Sequence, residues 1–297
     1  MERLRGIYIP LPTPFTDTGA VDENAVLALT DFYLETGVHG LFVLGTFGQG
    51  PAMTPDERKR VAKIVIDRVA GRIPVVIHAG TADTPTTIDL AKDAKDKGAD
   101  VVGVVPPYYF DHLDDEVLGH YVAVYEAIKH PMFIYNNAVN SGYTMTAPWT
   151  VRLIKEVPEA VGIKMSFIPM DPQLAFVRAL PETCSVFSGS ASLIMPGVIW
   201  GLAGAIHPLT VAIPEMLVNL WDATVAGKLA EAVELQKRVI EFTATIGVLQ
   251  RAAGRGVLRD SLKLRNLPVV DFPRWPTKDL SADQTAMLKK AMAAILD

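Results

Sequence analysis

The chain has 297 residues, 49% of them hydrophobic, enough for a large core in a single α/β domain. Its formal net charge is −5 and its pI about 5.7, which excludes the basic footprint of a nucleic-acid-binding surface. The single cysteine, Cys184, excludes an internal disulfide and a multi-cysteine metal site. No apolar run has bilayer length, and Met1-Glu2-Arg3-Leu4-Arg5-Gly6 lacks a signal-peptide core. A soluble cytoplasmic protein with no membrane partner is expected.

In chain order, short apolar strands alternate with amphipathic helices. Strands are predicted over 6–10, 40–44, 74–78, 101–105, 132–135, 161–165, 185–188 and 204–207. Helices are predicted over 24–36, 55–69, 85–97, 115–129, 148–157, 172–180, 191–200 and 213–225. Thr54-Pro55-Asp56-Glu57 reads as a helix start: a threonine N-cap, proline in the first turn, then acids facing the positive dipole end. Asp83-Thr84-Pro85 and Thr146-Ala147-Pro148 read the same way. Eight β–α units predict a parallel sheet closed as a (β/α)8 TIM barrel. An open doubly wound sheet would need a glycine-rich turn after its first strand, where this chain has Pro10-Leu11-Pro12-Thr13-Pro14. After about residue 228 only helices are predicted, over 228–249, 256–266 and 282–296. The expected division is a barrel over 1–227 carrying the active site and a C-terminal helical extension over 228–297 packed on it.

Lys164 stands out. It sits in the apolar run Ala160-Val161-Gly162-Ile163-Lys164-Met165, where burial favours the neutral, nucleophilic amine. Tyr135 ends the run Met132-Phe133-Ile134-Tyr135. A strand-borne lysine with a strand-borne tyrosine points to an imine at Lys164, with Tyr135 moving protons. The alternative is a lysine that emerges at a strand end and pairs with a carboxylate. Active sites of such barrels occupy the carboxyl ends of the strands. The residues expected there include Thr13, Thr46, Phe47, Gly48, Gln49, His78, Tyr108, Tyr109, Asn136, Gly189, Ser190 and His207. Backbone amides around Thr46 and Phe47 would hold a carboxylate, although Gly45-Thr46-Phe47-Gly48 also reads as a tight strand-to-helix turn. Tyr108 and Tyr109 also read as rim packing, Ser188-Gly189-Ser190 as an N-cap loop, and His207 as a core histidine. The histidines show no metal-ligand spacing, so neither a metal nor a cofactor is expected.

Taken in order, Thr13-Pro14-Phe15, Gly45-Thr46-Phe47-Gly48, Pro106-Pro107-Tyr108-Tyr109, Tyr135-Asn136, Gly162-Ile163-Lys164 and Ser188-Gly189-Ser190 resemble the Schiff-base, pyruvate-dependent lyases. That family is typified by dihydrodipicolinate synthase and N-acetylneuraminate lyase. The resemblance implies a TIM barrel with a helical extension, assembled as a homotetramer, a dimer of dimers. It implies that Lys164 forms the imine with pyruvate or a related 2-oxo acid and that Tyr135 is the acid/base. It also implies that Thr46 links Tyr135 to a tyrosine from a neighbouring subunit, placed at Tyr109.

The departures bear on substrate. Phe47 replaces the family's second hydroxyl, and Gln49 stands where glutamate is usual. Asn140 stands where dihydrodipicolinate synthases carry an arginine for the aldehyde's carboxylate, which disfavours that activity. Ser190-Ala191-Ser192 lacks the acidic loop of neuraminate lyases. The Thr-Phe-Gly stretch resembles aromatic hydratase-aldolases, and Ser188-Gly189-Ser190 resembles 2-keto-3-deoxy sugar-acid and 4-hydroxy-2-oxoglutarate aldolases. The leading expectation is a class I aldolase joining pyruvate to an aldehyde. The alternatives are a Schiff-base dehydratase and a non-catalytic barrel that binds a small acid. Asn140 and Phe47 favour uncharged aldehydes, unless Arg251 or Arg255 on the extension reaches the barrel mouth.

Overall fold

Alternation along each strand sends every second side chain into the barrel and the others toward the helices. A computed structural model describes residues 3–270, 274, 275 and 277–296. Its strands are β1 (Gly6–Pro10), β2 (Gly40–Val43), β3 (Val75–His78), β4 (Val101–Val104), β5 (Met132–Asn136), β6 (Ala160–Met165), β7 (Ser185–Ser188) and β8 (Gly204–Ala205). They pair in parallel in chain order, and β8 closes on β1. Between them run α1 (Glu23–Glu35), α2 (Pro55–Val69), α3 (Thr84–Asp96), α4 (Asp114–Ile128), α5 (Ala138–Ser141), α6 (Ala147–Glu156), α7 (Met170–Ala179) and α8 (Ile194–Ile199). After β8 come α9 (Pro214–Val225), α10 (Leu229–Ala253), α11 (Gly256–Lys263) and α12 (Ala282–Leu296). This is a (β/α)8 TIM barrel with additional C-terminal helices. No helix among the described residues is long and apolar enough to cross a membrane.

The predicted helix starts have a physical basis in the structure. Thr54 accepts from the Glu57 N–H, and Glu57 accepts from the Thr54 N–H, a reciprocal capping box. Asp83 and Thr146 cap α3 and α6 through their side chains. Several predictions were too long, among them the helix over 256–266, which ends at Lys263. β8 stops at Ala205, because Pro208 lacks a ladder donor and opens a 3₁₀ turn over Pro208–Thr210. The predicted helix over 191–200 is a 3₁₀ turn, Ala191–Leu193, followed by α8.

Inside the barrel the rings of Tyr8, Phe42, Phe133 and Phe187 form a continuous layer. Ring centroids lie 5.0 Å apart for Tyr8 and Phe187, 5.6 Å for Phe133 and Phe187, and 5.9 Å for Phe42 and Phe133. These are tilted or edge-to-face contacts, favourable for aromatic quadrupoles. Small residues make room for them. Gly40 sits opposite Tyr8 in register, and Gly162 sits opposite Phe133. A Cβ at Gly40 would lie 2.4 Å from the Tyr8 ring, and one at Gly162 would lie 2.6 Å from the Phe133 ring. Both distances are too short for any side chain beyond hydrogen.

The chain after α11 folds back over the barrel mouth. Arg274 pairs with Glu57 at 2.5 and 2.8 Å and donates to the carbonyls of Ala52 and Gly19 at 3.2 and 2.7 Å. Its guanidinium lies 4.5 Å from the Phe15 ring centroid. Trp275, the next residue, is thereby held beside the carboxyl ends of the strands.

The ring layer makes a specific prediction. Gly162→Ala should lower stability by about 1–3 kcal/mol through overpacking against Phe133. In combination with Phe133→Leu it should cost less than the sum of the two single changes. Urea unfolding of the four proteins checks this; additive costs would show that the two positions do not compete for space.

Candidate active site

Tyr135 and Lys164 are directly paired in the β5–β6 ladder. Each lies two residues beyond an inward-facing position, Phe133 and Gly162, so both side chains enter the barrel above the aromatic layer. Both are 4% exposed. The Lys164 Nζ donates to the Tyr135 hydroxyl at 3.3 Å and lies 4.8 Å from the Phe42 ring centroid and 4.4 Å from that of Tyr135. Lys164 has no ion pair among the described residues. The lysine paired with a strand-end carboxylate is therefore not what is found.

A polar chain continues from this pair. The Thr46 Oγ1 lies 3.5 Å from the Tyr135 hydroxyl and accepts from the Asn137 Nδ2 at 3.1 Å. Asn137 in turn accepts from the Asn140 Nδ2 at 3.1 Å. Because Thr46 accepts from Asn137, its own proton is available to Tyr135. The phenol oxygen then receives two donors, from Thr46 and Lys164. Burial raises the Tyr135 phenol, but the Lys164 charge and the hydrogen bonds from Thr46, Ser166 and Lys164 outweigh it and hold the phenol below its ordinary value of 10.0. Donors to the oxygen stabilise the phenolate, which suits a proton shuttle.

Lys164, Tyr135, Thr46, Phe47, Asn140, Gly189 and His207 line one cavity of about 260 Å³, together with Ser166, Phe167 and Arg255. A second cavity of about 230 Å³ adjoins it and shares Thr46, Asn140 and Arg255, with Gln49, His78, Tyr108, Asn137 and Trp275 added. Among the described residues neither lining includes an aspartate or a glutamate. Among the described residues no group of three or more His, Cys, Asp or Glu side chains could hold a metal ion. His207 is pushed down to about 3, first by burial and then by Lys164, so its imidazole is neutral at pH 7. Burial also holds His78 well below its usual range, helped by Arg58 and Lys164.

Other expected site residues take different positions. Thr13 is buried, and its hydroxyl donates to the Gly48 carbonyl at 2.7 Å; neither residue lines a cavity. They brace the turn over 44–50, in which Leu44 and Gln49 have positive φ. The Ser190 N–H donates to the Ser188 Oγ at 3.1 Å, and Ser190 stays outside both linings. Tyr109 is 88% exposed on the loop after β4 and does not reach the cavities within one chain. Asn136 is turned away from the cavity: its amide bonds the Met145 backbone at 3.2 and 3.4 Å.

Among the lining residues outside the predicted catalytic and substrate groups, Asn137, Ser166, Trp275 and Arg255 bear on the chemistry, the last expected only as one of two arginines that could reach the mouth. Asn137 and Ser166 each follow a recognised residue, Tyr135 and Lys164, by two positions, and that spacing marks the same inward face. Trp275 carries no comparable signal. Arg255 lines both cavities, whereas Arg251 is exposed and lines neither. The Arg255 Nη1 donates to the carbonyls of Thr46 at 3.1 Å and Phe47 at 3.4 Å. Its guanidinium carbon lies over the Phe47 ring at 5.7 Å and the Trp275 ring at 5.2 Å.

The model of the dihydrodipicolinate synthetase family matches residues 3–295. The 4-hydroxy-tetrahydrodipicolinate synthase of Desulfotalea psychrophila is 30% identical over 295 residues, covering 99% of this chain and 98% of that protein. The N-acetylneuraminate lyase of Rhizobium meliloti is 30% identical over 298 residues, covering 99% and 96%. Among solved structures, YagE, a prophage protein of the dihydrodipicolinic acid synthase family from E. coli K12 in complex with pyruvate, has a TM-score of 0.90 at 26% identity, covering 98% of each chain. The chain is an enzyme of the lyase type and belongs to the dihydrodipicolinate synthetase family.

Proposed function

We propose that this enzyme is a class I aldolase that reversibly joins pyruvate, or a related 2-oxo acid, to an aldehyde. One observation carries the reading: the Lys164 amine and the Tyr135 phenol lie 3.3 Å apart in a cavity lined by no carboxylate among the described residues. Lys164 adds to C2 of the 2-oxo acid, and loss of water leaves a protonated imine. The cationic nitrogen takes up the C3–H electrons as that proton leaves, giving an enamine. The enamine carbon attacks the aldehyde carbon, the new C–C bond forms, and the alkoxide takes a proton from Tyr135. Water then adds at C2, releasing the product and the free amine.

The amides of Phe47 and Gly48 are assigned to the 2-oxo acid's carboxylate, and His207, Gly189 and Asn140 to the rest of the substrate. The pyruvate in the YagE complex supports the choice of 2-oxo acid. Asn140 argues against dihydrodipicolinate synthesis proper, and a 2-keto-3-deoxy sugar acid or 4-hydroxy-2-oxo acid fits better as product. Exposed Tyr109, Phe110 and Leu113, at 88%, 65% and 72%, support assembly into a dimer of dimers, with Tyr109 contributed to a neighbouring site. The buried, lone Cys184 suits a cytoplasmic enzyme.

Two experiments test the chemistry. Borohydride with pyruvate should add one reduced pyruvyl group, mapped by mass spectrometry to Lys164, and Lys164→Ala should be inactive. Labelling at another lysine would overturn the assignment. Tyr135→Phe should fold normally but lose about 10²–10⁴-fold in kcat, the usual contribution of a general acid–base. A rate within about threefold of wild type would move the proton transfer to another group.

A further inference from the structure

Arg255 is a cation held at the cavities without a counter-ion. No carboxylate pairs with it among the described residues, and none lines either cavity it borders. Among the described residues its hydrogen bonds all leave Nη1, for the carbonyls of Thr46 and Phe47, and Nε and Nη2 have no acceptor. Burial pulls the group below its ordinary range, as expected of a charge withdrawn from water. A partly desolvated guanidinium with an unused edge is a binding group for a planar anion.

That anion is not the carboxylate already assigned to the turn. No peptide among the described residues is cis, and a trans peptide points its C=O and N–H in opposite directions. Arg255 occupies the carbonyl side of the peptides after Thr46 and after Phe47. The N–H groups of those same peptides face away from it. A 2-oxo acid on Lys164 whose carboxylate lies on the N–H side is thus out of Arg255's reach. Arg255 also polarises the two peptides, which makes their N–H groups better donors for that first carboxylate.

Resting on the aldolase reading, we propose that Arg255 is a specificity-determining residue that binds a carboxylate on the aldehyde partner, in the cavity it shares with Asn137, Asn140, Tyr108 and Trp275. The cation that Asn140 fails to supply from the end of β5 arrives instead from the start of α11. The expected preference for uncharged aldehydes is reversed. Arg255 is the lone cation among the described residues of that lining, which suits a carboxylate rather than a phosphate dianion. Those residues include no acid for an amino group, so an ω-oxo acid such as succinic semialdehyde fits better than aspartate semialdehyde.

The test is kcat/KM with pyruvate for succinic semialdehyde relative to butanal, which has the same carbon count and no charge. Wild type should favour the acid at least tenfold. Arg255→Gln should lower that ratio by about 30-fold, the scale of truncating one member of a desolvated charge pair. Arg255→Lys, which keeps the charge but not the fork, should fall between the two. An unchanged ratio in both variants would overturn the proposal and leave Arg255 as a brace for the turn. So would a wild type that uses butanal as well as the acid, a result that needs no variant to fold. Preference for glyceraldehyde 3-phosphate over succinic semialdehyde would also overturn it. Borohydride trapping of pyruvate on the wild type separates the two levels. If Lys164 is not trapped, the aldolase reading fails; if it is trapped and the ratio stays put, only the carboxylate subsite fails.

Discussion

The site depends on one pairing in the parallel ladder, Tyr135 opposite Lys164. Register fixes the side of the sheet for every residue of a strand, and a slip by one position would send both groups out among the helices. The register is itself held by packing. Phe133 fits only opposite glycine, and Gly162 is that glycine. The ring and gap below the pair thus set the height and direction of the two groups above it. The amine rests over Phe42, and the phenol rests edge-on against the same ring at 5.4 Å between centroids.

A buried amine without a carboxylate partner is costly, and the site offsets that cost in ways that keep it reactive. Aromatic faces stabilise a cation without accepting its proton. The Tyr135 oxygen accepts a hydrogen bond from Lys164 where a carboxylate would form an ion pair. An aspartate in place of this arrangement would fix the lysine as an ammonium and remove its nucleophilicity. With no carboxylate among the described lining residues, the Arg255 guanidinium faces the cavities, and its charge calls for an anionic substrate.

The barrel was legible because each strand is a short apolar run bounded by turn residues, and eight of them in sequence leave little choice of topology. Lys164 and Tyr135 were legible because they interrupt such runs. The strand ends were harder. A hydroxyl there can turn to the ligand or to the backbone, and Thr13 turns to the Gly48 carbonyl. Asn136 and Asn137 have the same side chain, and only the alternation of the strand decides that the second reaches Thr46 while the first braces Met145. Trp275 was beyond local reading, and Arg255 was legible only as one of two arginines that the extension could bring to the mouth. Trp275 and Arg255 lie more than 200 positions from the turn they cover, and the Arg274–Glu57 pair that brings the segment back is a tertiary contact with no periodic trace.

The most direct test of the account is a crystal structure of the enzyme soaked with pyruvate alone. Density should run unbroken from the Lys164 Nζ to C2 of the ligand, with the carboxylate on the N–H side of the Phe47 and Gly48 peptides and Arg255 left for a second anion. Intact pyruvate lying unattached in the cavity, or its carboxylate clasped by Arg255, would contradict the account.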